Sequence, residues 1–371
     1  MNQNFTVGFL RGCSALWVVV AHCCFWGGYK GYVPDPKVAV DIFMMVSGFL
    51  MMYTTDNLHA KEPLREKRNW VRFYLRRFFR ISPGYYASLA IAVVLSSIYV
   101  PSYQLLGKLN HNPYLAGLSA DFSATNIVLH ITYLFGVLPK YAFSTLLPDW
   151  SLSLEMQFYL VFPLVYLFLK MVKSSAWLIV CGLAVLAISY VSSATIMKDF
   201  TEVSLILYQF PFFMIGSLIF FISRNEYRAL QLAASFLVTA FCMFAIVLKS
   251  HDDVYLLGAA CLLFLSSTNT SVSLTLNGSR ASVPIDRIFN NRLFKTLSDL
   301  SFSVYLFHGF VISILGARIE PALYSLGFST KQSVVVIIAC VLPITYVAAY
   351  LSYKYIEQPG IRLGKFVITK I

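Results

Sequence analysis

Residues 5–25 read FTVGFLRGCSALWVVVAHCCF, an apolar stretch long enough to cross a bilayer, with one guanidinium (Arg11) and one imidazole (His22) inside it. Ionisable groups in a membrane span are costly, so this segment bears on both the fold and the chemistry of the chain. Eleven residues at 100° each make three turns plus about 20°, which puts Arg11 and His22 on one helix face, about 16 Å apart along the axis. That separation is half of the roughly 30 Å hydrocarbon core. Two readings stand for each residue. Arg11 is either a snorkelling side chain near one end of the span or part of a site, and His22 is either a ring satisfied by a nearby carbonyl or a base. As a base, a neutral imidazole takes a proton from an attacking hydroxyl near pH 7 without a large pKa shift.

Similar apolar runs recur along nearly all 371 residues. Hydrophobic residues make up 58% of the chain and charged residues 12%, about half the charge of an ordinary soluble domain. Ten spanning segments are predicted: Phe5–Phe25, Val38–Tyr53, Gly84–Val100, Leu152–Leu169, Ala176–Val191, Leu205–Ile222, Ala229–Leu248, Tyr255–Ser267, Ser301–Ala317 and Val334–Tyr353. The second and eighth are short for a bilayer. Two loops stand out, Thr54–Pro83 and Pro101–Trp150. Within the second, Ile127–Leu138 is too short to span and reads as a re-entrant or interfacial piece. The expected fold is therefore an all-α membrane protein, a bundle of about ten transmembrane helices forming one domain over residues 1–371.

The basic residues orient this bundle. With the N-terminus in the cytoplasm, 20 of the 29 Lys and Arg fall on inside regions and eight outside, one of the latter being Lys249. The positive-inside rule then predicts that both termini are cytoplasmic. Much of the net charge of +12 is thus topology facing lipid headgroups, and no nucleic-acid partner is expected. The seven cysteines lie in apolar segments without a CxxC pair, so neither a disulfide framework nor a metal site is expected. No GxSxG, Walker loop, GxGxxG or HExxH occurs, which removes support for hydrolase, NTPase, dinucleotide and zinc-protease chemistry.

Other polar residues fall at span positions. Glu155, one turn into the fourth span, needs an Arg or His partner from another helix. His308 follows Tyr305 in the ninth span and reads as either a hydrogen-bonded core histidine or a catalytic one. Asp41 opens the second span. Arg77 and Arg80, at i and i+3 with Arg76 adjacent, would share a helix face just before the third span. That cluster suits anionic headgroups or, more sharply, a phosphate-rich ligand such as coenzyme A.

Taken in order, these segments resemble the membrane-bound acyltransferase-3 family. Leu10-Arg11-Gly12 through Ala21-His22 is similar to its R-x10-H signature. Val40-Asp41-Ile42-Phe43 with Ser47-Gly48-Phe49-Leu50 is similar to its second-span motif. Arg76-Arg77-Phe78-Phe79-Arg80-Ile81-Ser82-Pro83 matches its RxxR motif, and Trp150-Ser151-Leu152-Ser153-Leu154-Glu155 resembles its W-S-L-x-x-E block. Ser301 to His308 and Tyr355-Ile356-Glu357-Gln358-Pro359 resemble its closing signatures. The chain departs at Met156, where many members are acidic, at Ala39, where glycine is common, and at Gly309-Phe310, where a proline is usual.

The resemblance implies O-acylation, usually acetylation, of a carbohydrate, with acetyl-CoA as the donor substrate, no tightly bound cofactor and a surface polysaccharide or its lipid-linked precursor as acceptor. It places His22, Glu155 and Arg11 in the catalytic set, with Glu155 orienting His22. Arg76, Arg77 and Arg80 bind the donor, Asp41, Ser47, Tyr305 and His308 are secondary candidates, and the location is a bacterial inner membrane. Two other readings stand. A transporter or flippase of a lipid-linked or anionic glycan would use intramembrane Arg, Glu and His as a path, though the repeated halves common in transporters are not evident. A non-catalytic scaffold in polysaccharide export is the other.

Overall fold

The computed structural model describes residues 5–248, 251–268, 271–276 and 279–371, so Lys249, one of the basic residues assigned to the outside, lies outside the described set.

Helices account for the architecture. In chain order they are α1 (Phe5–Trp26), α2 (Pro36–Leu58), α3 (Lys67–Leu109), α4 (Pro113–Ala116), α5 (Ala124–Ile131), α6 (Trp150–Met171) and α7 (Ser175–Ala194). They continue with α8 (Ile206–Arg224), α9 (Arg228–Leu248), α10 (Val254–Ser267), α11 (Ile285–Ile288), α12 (Arg292–Ser325), α13 (Thr330–Ser352) and α14 (Gln358–Thr369). A two-stranded antiparallel hairpin, β1 (Ser271–Leu276) and β2 (Ser279–Pro284), joins α10 to α11. Among the described residues nine helical segments are long and apolar enough to cross a membrane, and α10 is a shorter apolar helix.

The helix ends follow local chemistry. Asp35 caps α2, its carboxylate accepting from the Lys37 N–H at 2.8 Å, and Pro36 takes the first position, where no N–H is required. Asn291 caps α12 through the Phe294 N–H, and Ser329 and Gln332 form a reciprocal capping box on α13. Two expectations change. The second span is not short, because α2 runs for 23 residues. The expected loop Thr54–Pro83 is mostly helix, since α2 continues to Leu58 and α3 begins at Lys67. Polar residues that hydropathy excludes from the membrane remain helical where the helix projects beyond it.

The eighth segment is short, as expected, with 14 residues in α10. It still runs between the two ends of the bundle. Just before its start, Asp252 accepts from the Tyr32 hydroxyl and from the Asp35 N–H at 2.9 Å, beside the α1–α2 connection. At its finish, Ser266 donates to Asp286, which also accepts from the Thr6 N–H at 2.9 Å. The first and last helices lie together: α14 packs on the first half of α3, and α1 begins in the same region.

Close helix crossings hold the centre. An ideal Cβ on Gly48 of α2 would lie 1.9 Å from the Phe213 carbonyl oxygen, and one on Gly216 of α8 would lie 1.8 Å from that of Met45. Only glycine permits this approach, the small-residue contact by which membrane helices gain van der Waals packing. α1 packs chiefly on α12, which brings their two histidines together.

Candidate active site

Arg11, Arg77, Arg80 and Lys295 line a cavity of about 360 Å³ at the end of the bundle where α1 and α12 begin, with Glu155 and Tyr159 in the same wall. The i, i+3 spacing does place Arg77 and Arg80 on one face. Arg77 donates to the Thr54 hydroxyl at 2.7 Å and lies over the rings of Phe73 and Tyr159, at 5.5 and 5.7 Å. Arg76 departs from expectation. It is not in the cavity wall and pairs with Glu62 instead, because adjacent residues on a helix diverge by 100°.

Glu155 is held by two hydroxyls: Ser47 donates to it at 2.9 Å, and Tyr159, one turn along α6, donates to the same oxygen. Ser47 thus belongs to the cavity wall through Glu155. The expected contact between Glu155 and His22 is not the one formed. Among the described residues, His22 instead pairs with His308, Nδ1 to Nε2 at 2.9 Å, with the two rings 6° from parallel and their centroids 5.1 Å apart.

This pair fixes a tautomer by elimination. His308 Nδ1 lies 2.6 Å from the Tyr305 carbonyl oxygen, which can only accept, so Nδ1 carries the hydrogen. In a neutral ring Nε2 is then the acceptor, and His22 must donate from Nδ1. The lone pair of His22 is left on Nε2. A ring held in one tautomer by a partner at its other nitrogen is the arrangement a general base requires. His308 is fully buried, and His22 is partly exposed and stacked on Trp26 at 4.7 Å.

Two smaller cavities share the Arg11 and Glu155 walls. One, of about 160 Å³, adds Glu357 and Tyr353. The other, of about 50 Å³, leads along Ser47 and Ser151 to Tyr305, whose hydroxyl accepts from Ser151 at 2.8 Å. Tyr305 is one turn before His308, so this narrow space runs from the arginine cavity towards the imidazole pair. Asp41 is fully buried in α2 and is not part of these three walls.

Several wall residues are not evident from sequence. Lys295, Ser298 and Asp299 belong to the first turns of α12, which begins well before the predicted span. Glu357 sits in a π-helical segment, Tyr353–Glu357, and accepts from the Ser303 hydroxyl. Its position within a closing signature is the available signal, and π-bulges frequently occur at functional sites. The proline usual after His308 is replaced by Gly309, and α12 passes through unbroken. In the segment Pro101–Trp150, expected as a loop, Tyr103 and Tyr133 are buried and Tyr114 is exposed.

The fold and site define a multi-pass membrane protein with a cationic chamber at one end and a paired imidazole deeper along the same helix. The chain belongs to the acyltransferase-3 family, whose model, described as an acyltransferase domain, matches residues 6–354. It is 25% identical to the peptidoglycan O-acetyltransferase OatA of Listeria monocytogenes, over 96% of this chain and 56% of that protein. It is 26% identical to the putative membrane-bound transacylase BcsY of Komagataeibacter xylinus, over 97% of this chain and 83% of that protein. It is 26% identical to the acyltransferase MdmB of Streptomyces mycarofaciens, over 88% of this chain and 81% of that protein. The chain thus spans just over half the length of the Listeria relative. No solved structure matches it.

Proposed function

We propose that this chain is an O-acetyltransferase of a bacterial inner membrane, moving an acetyl group from cytoplasmic acetyl-CoA to a hydroxyl of a cell-surface polysaccharide or its lipid-linked precursor. The observation that carries this reading is the His22–His308 pair, which leaves His22 Nε2 as a base, on the same helix face as a chamber lined by Arg11, Arg77 and Arg80. The likeness to a peptidoglycan O-acetyltransferase supports acetyl as the group and a glycan as the acceptor.

In this mechanism the arginines hold the donor phosphates, a task suited to the guanidinium fork. Helix side chains lean towards the N-terminus, so Arg11 reaches away from His22 and joins the donor end. The uncharged pantetheine arm then points from the arginines along the narrow space towards Tyr305. His22 Nε2 removes the acceptor's proton as its oxygen attacks the thioester carbonyl. The tetrahedral intermediate then breaks its C–S bond, and the thiolate takes the proton from His22. His308 Nε2, accepting from His22 Nδ1, stabilises the imidazolium formed between these steps.

The test supplies radiolabelled acetyl-CoA and acceptor to membranes carrying His22→Ala. Loss of transfer by about 10²–10⁴-fold is expected for removal of a general base. Undiminished transfer would overturn the role of His22.

A further inference from the structure

α1 ends at Trp26, one turn beyond His22, in a glycine turn. Gly28 has φ +71, and the Tyr29 N–H returns to the Cys24 carbonyl at 2.9 Å. The last carbonyls of a helix have no partner within it. That of Trp26 accepts from the side-chain amide of Asn110, at the end of α3, at 3.0 Å. The same amide nitrogen donates its other hydrogen to Glu320 of α12 at 2.9 Å. Tyr324 places its hydroxyl 3.0 Å from Glu320 and 3.1 Å from the Asn110 oxygen. An ideal Cβ on Gly28 would lie 2.5 Å from that oxygen, so the turn must be glycine for Asn110 to fit.

We propose that Asn110, held by Glu320 and Tyr324, is a positioning residue for His22. The inference rests on the reading of His22 as the base. Capping alone would need one donor to the Trp26 carbonyl. The second amide hydrogen goes to a fully buried carboxylate on the helix that carries His308, which couples the cap to the partner of His22. The His22–His308 hydrogen bond crosses from α1 to α12, and such bonds weaken within a few tenths of an ångström. Asn110 therefore sets the register of the two helices that this bond spans. Trp26 carries the constraint to the imidazole by stacking on it, with the rings 9° from parallel, while Tyr103 closes on the indole edge-on at 5.0 Å.

Asn110→Asp tests this, since it keeps the shape, removes both amide donors and sets a second carboxylate against Glu320. Expected are a kcat reduced about ten- to a hundredfold with the donor KM unchanged, and a displaced acid limb of the pH–rate profile. Peptide mapping after diethyl pyrocarbonate treatment should also show a changed rate of His22 modification. Asn110→Ser supplies the same readouts if the Asp variant does not fold. An unchanged pH profile and His22 modification rate, with only thermal stability lowered, would overturn the proposal and leave Asn110 a helix cap. The modification measurement does not need turnover, so it decides the role of Asn110 even if wild-type membranes transfer no acetyl group.

Discussion

Arg76 and Arg77 are neighbours in the chain and serve different ends: one is neutralised by Glu62, the other faces the chamber with Arg11 and Arg80. In the proposed reaction, Arg80→Ala raises the donor KM about tenfold, as loss of a charge-assisted phosphate contact would, whereas Arg76→Ala leaves it unchanged; steady-state kinetics on membranes separates the two. Arg77→Lys is not a conservative change, because ammonium cannot reproduce the fork or its stacking on Phe73 and Tyr159. Asp149, just before α6, gives a stability prediction. Burial pushes its carboxyl up to about 6, although His130 lies 3.6 Å away and the Tyr85 hydroxyl donates to it at 3.0 Å. The folded state therefore holds this proton more tightly than the unfolded chain, whose Asp titrates at about 3.9. Its contribution is fully present below about pH 4 and is lost as pH rises through about 6. Thermal melts should show that Asp149→Asn flattens the pH dependence in this window.

Helices carry most of what is legible in the sequence. The R-x10-H geometry of α1 follows from the helical repeat alone, and so does the shared face of Arg77 and Arg80. The partner of His22 does not, because it depends on how α1 meets α12, a tertiary contact that no local pattern encodes. Lys295 and Asp299 escape a reading of the sequence for a different reason. Hydropathy marks the part of a helix that lies in lipid, and α12 starts before that part. The α2–α8 crossing depends on backbone proximity at Gly48 and Gly216. Gly48→Ala would force a methyl against the Phe213 carbonyl, and destabilisation of about 1–3 kcal/mol is expected from overpacking, measurable as a lowered melting temperature in detergent. A wild-type melt would contradict the tight crossing.

At the scale of the whole molecule, nine membrane-length segments among the described residues, with the short α10, bring the start of α1 and the closing helix α14 to one side of the bundle. With the basic residues concentrated there, we propose that this side is cytoplasmic. A reporter active only in the cytoplasm should therefore work when fused after Ile371, and a periplasm-dependent reporter should not. Arg11 and His22 stand half a membrane apart on one helix, with a narrow space between the chamber and Tyr305. If the acceptor approaches from the opposite side, an acetyl group leaves the cytoplasm while the hydroxyl's proton enters to protonate the thiol. The exchange moves no net charge, so turnover should be indifferent to membrane potential, and vesicles with and without an imposed potential would acetylate at the same rate.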